Sequence, residues 1–529
     1  MFSRKPLDRL VAEADGNVQG LRKVLGPLNL VSLGVGAIVG SGIFVVSGHA
    51  AAEYAGPAII VSMIFAAIAC TFAGLCYAEF ASMIPISGSA YSYAYATLGE
   101  FIAWIIGWDL ILEYLVGASA VAVSWSGYVV SFLQDCGILI PPQLRQSTGA
   151  ILYHLSPQMG DWAGVSLLQD GWINLSGEQL DKLAQHAVQA ASLPQMTAVM
   201  NLPPVLVVGI ITLLLVLGIR ASARFNNLIV AVKLIVILLF VGFGYFFIHR
   251  ANWHPFLPPN TGKFGEYGWS GVMRGAGEIF FAYIGFDAVS TAAQETRNPR
   301  KHMPIGILGS LAICTVLYLA VAIVMTGMIN YKELSVPDPV AVAVNAAGPG
   351  LAWLRPWLKM GVIAGLTSVI LVLVLGQSRI FYTIASDGLL PSPFAKLHSR
   401  FKTPHVTTLL TGFAAMVVAA TVKGVILWQM VSIGTLLAFV IVCVGVLVLR
   451  YTHPQFPRAF KTPWVPVVPI LGAGSCLALM IPLPGQTWLR LVLWMAVGLV
   501  IYFAFGRHHS RLRLDNRRRE AQITEPGGK

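Results

Sequence analysis

Gly36-Ala-Ile-Val-Gly-Ser-Gly-Ile-Phe44 is the stretch on which the fold turns. It lies inside a charge-free run, Val24–Ala52, that is long enough for a helix to cross a bilayer. Gly40-Ser41-Gly42 is a poor helix centre, because glycine loses the most backbone entropy and has no side chain to shield peptide groups. A helix broken there exposes N–H and C=O groups at membrane depth, which is tolerated only where they line a cavity or bind something. Freed N–H groups can receive a carboxylate, and freed C=O groups an ammonium. Taken alone, the same glycines also suit an unbroken helix packed closely on its neighbours. The rest of the chain has to decide.

Working outward, the run is one of many. The 529 residues are 56% hydrophobic and only 11% charged, with a mean hydropathy of +0.73. A soluble domain carries roughly 25% charged residues, so most of this surface is expected to face lipid. Further charge-free windows occur at Tyr54–Ala78, Pro304–Tyr331, Met360–Ser378, Val406–Val422 and Gly424–Leu449. Near-free runs raise the expectation to twelve spans, at about 28–48, 56–80, 99–132, 203–219, 226–248, 270–294, 305–328, 357–386, 406–422, 425–449, 465–482 and 486–506. The fold class is therefore all-α and polytopic. Met1–Gly26 lacks the pattern of a cleavable signal, so the first run is expected to stay as the first span. Six scattered cysteines, of which only Cys136 falls in a loop, suggest neither a disulfide framework nor a metal site.

The formal charge of +12 does not point to nucleic acid, because the basic residues sit in short connections between spans. With the N-terminus inside, 24 of the 35 Lys and Arg fall on the inner side. The positive-inside bias then puts both termini in the cytoplasm, in a cell inner membrane or plasma membrane. The largest connection, about 134–201, is expected outside, without a separate soluble domain. Within it, Leu180–Ala191 has apolar residues at helical spacing and reads as an amphipathic surface helix on the outer rim. The segment after Gly506 reads as a membrane-proximal helix end followed by a basic, disordered tail.

A second weak point occurs in the sixth span, Gly277-Glu-Ile-Phe-Phe-Ala-Tyr-Ile-Gly-Phe-Asp-Ala288, around Phe281–Gly285. Two interrupted helices five spans apart are what an inverted repeat produces. Ionisable groups inside spans are costly and mark function by default. Lys233 lies well inside the fifth span, where desolvation works against its charged form and makes it a candidate to take and release a proton. The bland alternative is snorkelling toward the near face. Asp109 and Glu113 share one face of the third span, and the deeper Glu113 is a candidate cavity acid. Glu278 and Asp287 flank the sixth-span weak point, either of them able to cap a half-helix. Glu79 reads as structural. Thr367 and Ser368 form a small polar patch in the eighth span, whose value depends on whether Lys233 faces it.

With these residues in hand, the sequence resembles the amino acid–polyamine–organocation superfamily, and within it bacterial members of the cationic amino acid transporter group. The resemblance covers about residues 20–510. Its most specific pieces are Gly36–Phe44, Phe281-Ala-Tyr-Ile-Gly-Phe-Asp287, Glu295-Thr-Arg-Asn-Pro-Arg-Lys-His-Met-Pro304, and Gly376-Gln-Ser-Arg-Ile-Phe-Tyr382 with Asp387-Gly-Leu-Leu. It implies a LeuT-type fold. The expected organisation is a cytoplasmic segment 1–27, five spans over 28–248, their inverted repeat over 249–450, accessory spans over 451–506 and a tail over 507–529.

The resemblance also implies roles. The substrate carboxylate would meet Val39, Gly40, Ser41 and Gly42, and its ammonium the carbonyls of Phe280, Ala282 and Ile284, under an aromatic lid at Phe281. Leu366 would line the side-chain pocket. Sodium-coupled relatives hold a cation between first-span carbonyls and an eighth-span hydroxyl pair, here Gly36, Val39, Ala364, Thr367 and Ser368. Proton-coupled relatives place a lysine there, matching Lys233, whereas animal members of the cationic group carry an uncharged residue. The expectation is proton-driven uptake of neutral L-amino acids, with no cofactor and the proton gradient as driving force. Transport of Arg, Lys or ornithine is the runner-up, with Glu113 attracting the cationic end. The expected partners are the amino acid and the bilayer, and a monomer suffices. A channel should show a repeated filter. An enzyme should show a nucleophile–base pair or a metal cluster, and neither emerges. A non-transporting sensor on the same scaffold would bind without flux.

Overall fold

The computed structural model describes residues 25–84, 89–163, 170–175, 177–186, 188–218, 223–401 and 403–514. The expectations for residues 1–24, for Arg220 and Lys402, and for the tail beyond 514 lie outside the described residues. Among those described, seven helices are long and apolar enough to cross a membrane, and four shorter apolar helices accompany them.

The first span is two pieces: α1 (Pro27–Ile38), then helix again over 42–55 (α2), wound as π-helix at Gly42–Val46 and Ala51–Ala55. Next come α3 (Ile59–Met83), the short α4 (Ser89–Thr97) and the long α5 (Glu100–Asp135). A loop follows, carrying β1 (Ile151–His154), α6 (Pro157–Ala163), β2 (Trp172–Ile173), α7 (Gly177–Gln185) and β3 (Gln195–Thr197). The chain re-enters as α8 (Leu202–Val216), α9 (Ala223–Gly244) and α10 (Gly268–Ile279). The second broken segment continues as the 3-10 turns Phe280–Tyr283 and Asp287–Glu295. Last come α11 (Pro299–Met328), α12 (Pro339–Ala346), α13 (Leu354–Ser386), α14 (His405–Thr421), α15 (Gly424–Thr452), α16 (Val467–Met480) and α17 (Gly485–Ile501). The helices α4 and α12 were not anticipated: they are too short for a span and lack its apolar run.

One apolar core runs through the bundle, with α1 held between α11 and α9, and α13 packed on α5 and α9. Lipid-facing helices invert the polarity of a soluble protein. On α8, Leu206, Ile210 and Leu213 recur at helical spacing and stay exposed. On α17, Leu489, Val492, Leu493, Val497 and Val500 do the same.

The loop departs from the all-helical expectation. Its strands form an antiparallel sheet in the order β2-β1-β3, over a small core of Tyr153, Leu155, Ala163, Leu175, Leu183 and Leu193. Arg145 closes it with a two-pronged ion pair to Asp170 at 2.8 and 2.9 Å and a bond to the Trp172 carbonyl at 2.6 Å. The surface helix expected over Leu180–Ala191 instead ends at Gln185. There the amides of His186 and Val188 both fold back to the Leu183 carbonyl, and the His186 ring stacks on Trp162.

The side of the bundle that carries this loop is called the loop side, and its opposite the tail side. On the tail side two fully buried acids tie distant segments together. Glu79 accepts from Arg450 at 2.9 Å twice, from Arg458 at 3.1 Å and from the Thr462 amide at 2.8 Å, a structural role in keeping with the sequence reading. Glu100 opens α5, where a helix N-terminus favours a carboxylate. It pairs with Arg513 at 2.8 Å and accepts from Tyr502, Tyr95 and Ser510. The described part of the tail, to Leu514, docks on the bundle and gives the buried Glu100 its cation. Ser510 and Leu512 are buried by that contact.

Candidate functional site

The last carbonyls of α1 have no donor within their own helix. The break at Val39, extended at ψ 92°, leaves them pointing into the bundle. Two side chains meet them. Lys233 of α9, 1% exposed, donates from Nζ to the carbonyls of Gly36 at 2.8 Å and Val39 at 3.0 Å. Tyr318 of α11, fully buried, reaches the carbonyl of Ile38 at 2.7 Å. An ammonium at the C-terminal end of a half-helix meets the negative end of its dipole, worth about 0.3–2 kcal/mol beyond the hydrogen bonds themselves. The lysine stem can reach so far because α13 is cut away beneath it. A Cβ at Gly365 would stand 2.9 Å from Lys233 Cε, and one at Gly361 would stand 2.5 Å from Val236 Cγ2.

The sixth-span break is built differently. α10 stops at Ile279, Phe280–Tyr283 tightens to a 3-10 turn, Ile284 is extended at ψ 137°, and Gly285 takes φ +118°. Only glycine adopts that last conformation without strain. It also lacks the Cβ that would meet the Ala37 carbonyl carbon at 2.9 Å. The two breaks thus lie directly against each other. Gly42 marks the second contact, since a Cβ there would fall 2.2 Å from Ala282 Cα. Tyr318 bridges them: its hydroxyl is 2.7 Å from the Ala282 carbonyl as well as from that of Ile38. One O–H cannot serve both acceptors fully at once.

Of the residues singled out in the sequence, Val39, Gly40, Ser41, Gly42, Phe280, Phe281, Ala282 and Ile284 gather at this junction, all buried. Phe281 is 6% exposed, and Ser41 Oγ has no hydrogen-bond partner among the described residues. Gly40 faces Val369 of α13, and Leu366, one turn earlier on that helix, is fully buried. Thr367 and Ser368 are arranged otherwise than the Lys233 grouping suggested. Thr367 donates to the Ile363 carbonyl and accepts from Trp125, and Ser368 donates to the Gly365 carbonyl. The half-buried Ala364 makes no polar contact through its methyl group. Lys233 is therefore joined to Gly36 and Val39 of the expected set, and not by hydrogen bonds to the eighth-span hydroxyls.

Glu113 lies one helix over, within a buried acid cluster. Tyr114 donates to Asp287 at 3.0 Å, while Asp287 Oδ1, Glu113 Oε2 and both carboxylate oxygens of Asp109 have no hydrogen-bond partner among the described residues. All three acids are essentially inaccessible. Asp287 opens the 3-10 segment after the break, where the N-cap is Phe286 and no side-chain cap hydrogen bond is made.

Tyr318, Trp125 and Tyr128 were missed in the sequence. Tyr128 donates to the Phe44 carbonyl at 2.8 Å, fastening the π-wound start of α2 to α5. The available signal was a tyrosine or tryptophan at mid-span, where its polar tip must find a partner. Nothing in the sequence names that partner.

The sequence is similar to known proteins over nearly its whole length. The sequence model of a family described as amino acid permease matches residues 25–505. The chain is 43% identical over 512 residues to the methylthioribose transporter of Bacillus subtilis (strain 168), covering 97% of this chain and 99% of that one. It is 41% identical over 513 residues to the branched-chain amino acid permease BcaP of the same organism, again covering 97% and 99%. It is 34% identical over 454 residues to the human cationic amino acid transporter 4, covering 86% of this chain and 64% of that one. Relatives thus fall on both sides of the neutral–cationic divide. A match over nearly the whole chain, on a bundle of apolar helices, leaves one assignment: the chain belongs to the amino acid permease family of the amino acid–polyamine–organocation superfamily, and is a multi-pass secondary transporter of amino acids rather than an enzyme.

Proposed function

We propose that this permease is a proton-coupled importer of neutral L-amino acids, working by alternating access on a LeuT-type scaffold. Twelve spans form two inverted five-span repeats, over 28–248 and 249–450, followed by two accessory helices. The tail side is cytoplasmic, as the distribution of Lys and Arg favours. The observation that carries the reading is Lys233 bound to the carbonyls of Gly36 and Val39 at the first break. A resident ammonium occupies the place where a coupling cation would otherwise bridge half-helices, and unlike sodium it can lose a proton without leaving. Protonated, Lys233 holds α9 against the end of α1, with its stem packed on Gly365 of α13. Deprotonated, it keeps fewer donors and no charge, and the hold on α1 weakens.

The substrate carboxylate is received by the free first-turn amides of the second half-helix, at Gly40, Ser41 and Gly42. Its ammonium goes to the carbonyls of Phe280, Ala282 and Ile284, with Phe281 excluding water and Leu366 lining an apolar side-chain pocket. Because Gly42 rests on Ala282 here, the breaks must part for the substrate to enter, and Tyr318 must release one of its two carbonyls. An apolar wall at Leu366 favours an uncharged side chain, since a charged end there would be desolvated without a partner. The relative named for branched-chain amino acids fits that expectation.

A second reading has an observation of its own. Glu113 and Asp287, buried without a cation beside the sixth-span break, can neutralise a basic side chain, which would make Arg, Lys or ornithine the cargo. Proteoliposome uptake of a labelled panel decides between them. The panel is neutral and basic amino acids together with methylthioribose, an uncharged thioether sugar without an amino acid head group. Each is measured with and without an inward proton gradient. Gradient-driven accumulation of neutral amino acids, lost in Lys233→Ala, is expected. Sodium-stimulated uptake indifferent to the proton gradient would overturn the coupling. Accumulation of basic amino acids alone would install the second reading.

A further inference from the structure

A polar string outside the substrate junction has no role in the scheme above. On the loop side, His49 of α2 is packed between α10 and α15, with its ring 5.6 Å from that of Trp428 and 5.8 Å from that of Tyr54. Its two nitrogens look in opposite directions. Nδ1 lies 3.4 Å from the Ser335 hydroxyl, and Ser335 in turn donates to Glu53 Oε1 at 2.8 Å. Nε2 lies 3.5 Å from Glu278 Oε1. Those two atoms are buried and have no hydrogen-bond partner among the described residues, and they face each other. The second oxygen of Glu278 accepts from Gln429 at 3.4 Å, and Thr487 holds that amide by donating to its oxygen at 3.1 Å. Glu278 is fully buried, while Glu53 and Ser335 are partly exposed. The string therefore runs from the loop-side surface to a carboxyl three residues before Phe281.

We propose that Glu53, Ser335, His49 and Glu278 form a proton relay from the loop side to the approach of the sixth-span break. The inference rests on the proton-coupled reading and names the route by which the proton enters. Donor directions support it. Ser335 gives its hydrogen to Glu53, so toward His49 it can only accept, and Nδ1 carries the ring hydrogen. One further proton is then shared between Nε2 and Glu278. This is the pattern left by one completed transfer. A proton arriving on Glu53 passes to Ser335 as Ser335 gives its own to Nδ1, and Nε2 gives its proton to Glu278. One proton enters at Glu53, one is gained at Glu278, and the imidazole ends as the opposite tautomer, to be reset by rotation or by return of the proton. An imidazole using both nitrogens is suited to this work because one ring accepts and donates at once. The other titratable and charged groups facing this pair are Tyr54, whose hydroxyl is also a hydrogen-bonding neighbour of Glu278, and Arg274 of α10, whose guanidinium is engaged with the Tyr54 ring at 4.4 Å.

The test uses full-length protein in proteoliposomes, with net uptake driven by an inward proton gradient and exchange of labelled for unlabelled amino acid at equal pH. Exchange needs no net proton movement. His49→Gln is expected to lower gradient-driven uptake roughly a hundredfold, the range for removing a proton-transferring side chain, while exchange stays near wild type. Ser335→Ala is expected to lower net uptake less, because a water can replace the hydroxyl, and serves as the deciding variant if His49→Gln does not fold. Wild-type gradient response in whichever variant folds overturns the relay. Absence of any gradient response in the wild-type protein overturns instead the proton-coupled reading on which it stands. Equal loss of exchange and net uptake overturns the relay in favour of a packing role for His49.

Discussion

Tyr318→Phe removes one oxygen and isolates what that oxygen does. In the native protein a single O–H lies 2.7 Å from two buried carbonyls that belong to different broken helices, Ile38 and Ala282. The phenyl ring keeps its edge contact with Tyr283, at 5.2 Å between centroids, so little packing is lost. A neutral hydrogen bond contributes about 1 kcal/mol net, and a buried acceptor left unsatisfied costs about 1–3 kcal/mol. Taking about 2 kcal/mol for the whole change, the closed junction should lose roughly thirtyfold in population against states in which water reaches those carbonyls. Tyr283→Phe is the control: the residue stands in the sixth-span break, but its hydroxyl makes a single bond of 3.2 Å to the Met63 carbonyl of α3 and does not join the two breaks. Thermal unfolding of both variants in detergent, with KM and kcat for uptake, makes the comparison. Tyr318→Phe should be the less stable and should change KM, whereas Tyr283→Phe should leave KM alone. Equal stability of the two variants together with wild-type kinetics in Tyr318→Phe would refute the bridging role.

Gly42→Ala places a methyl 2.2 Å from Ala282 Cα, an overlap with backbone that costs about 1–3 kcal/mol or more. Uptake should collapse, while Gly40→Ala, whose new methyl meets Val369 at 3.4 Å and the Ile38 carbonyl oxygen at 3.8 Å, both ordinary contacts, should stay within a few-fold of wild type in the same assay. Glu100→Gln strips the counter-charge from Arg513. A stability loss of about 2–3 kcal/mol is expected, below the figure for a fully buried pair because Arg513 keeps some water, and it is measurable as earlier thermal aggregation. On the loop side, Lys359 is inaccessible and pairs with Asp135 at 2.6 Å and Asp338 at 4.0 Å. Burial pushes the Asp338 carboxyl up, with the Ser131 hydroxyl and Lys359 opposing that shift. Its charge therefore costs stability at neutral pH, a cost relieved as pH falls through its raised folded-state value. Lys359→Met should be most destabilised near neutral pH, with the defect shrinking toward the ordinary Asp range of about 4 and below. A pH-independent defect in melting would remove the electrostatic explanation.

What could be read in the sequence followed from backbone cost. Gly40-Ser41-Gly42 and the Phe281–Gly285 stretch announce weak helices by composition alone, and the chain breaks at Val39 and at Ile284–Gly285. Lys233 stood out because a charge at mid-span needs a reason. What stayed hidden were the partners. Lys233 grips carbonyls, which leave no trace in a residue list, rather than Thr367 and Ser368, whose hydroxyls are taken up by their own helix or by Trp125. The small sheet in the loop was masked for a related reason. Its strands are two to four residues long and are held by Arg145 and Asp170, 25 residues apart, rather than by an alternating pattern. Tail docking on Glu100 was equally invisible, since a basic terminus reads the same whether or not a buried acid awaits it.

The acids on the tail side also bear on how the chain is made. Glu79 meets Arg450 and Arg458 only 371 and 379 residues further along, and Glu100 meets Ser510 after 410. At ribosomal rates of about 5–20 residues per second, an early helix pair waits roughly 20–80 seconds for its cations. During that interval two carboxyl groups must rest near the tail-side interface or stay protonated, because neither has its eventual counterion. The segment from Arg450 onward is thus a completion signal. Until it emerges, the nascent protein carries exposed acidic side chains that an insertion chaperone can hold and a quality-control protease can recognise.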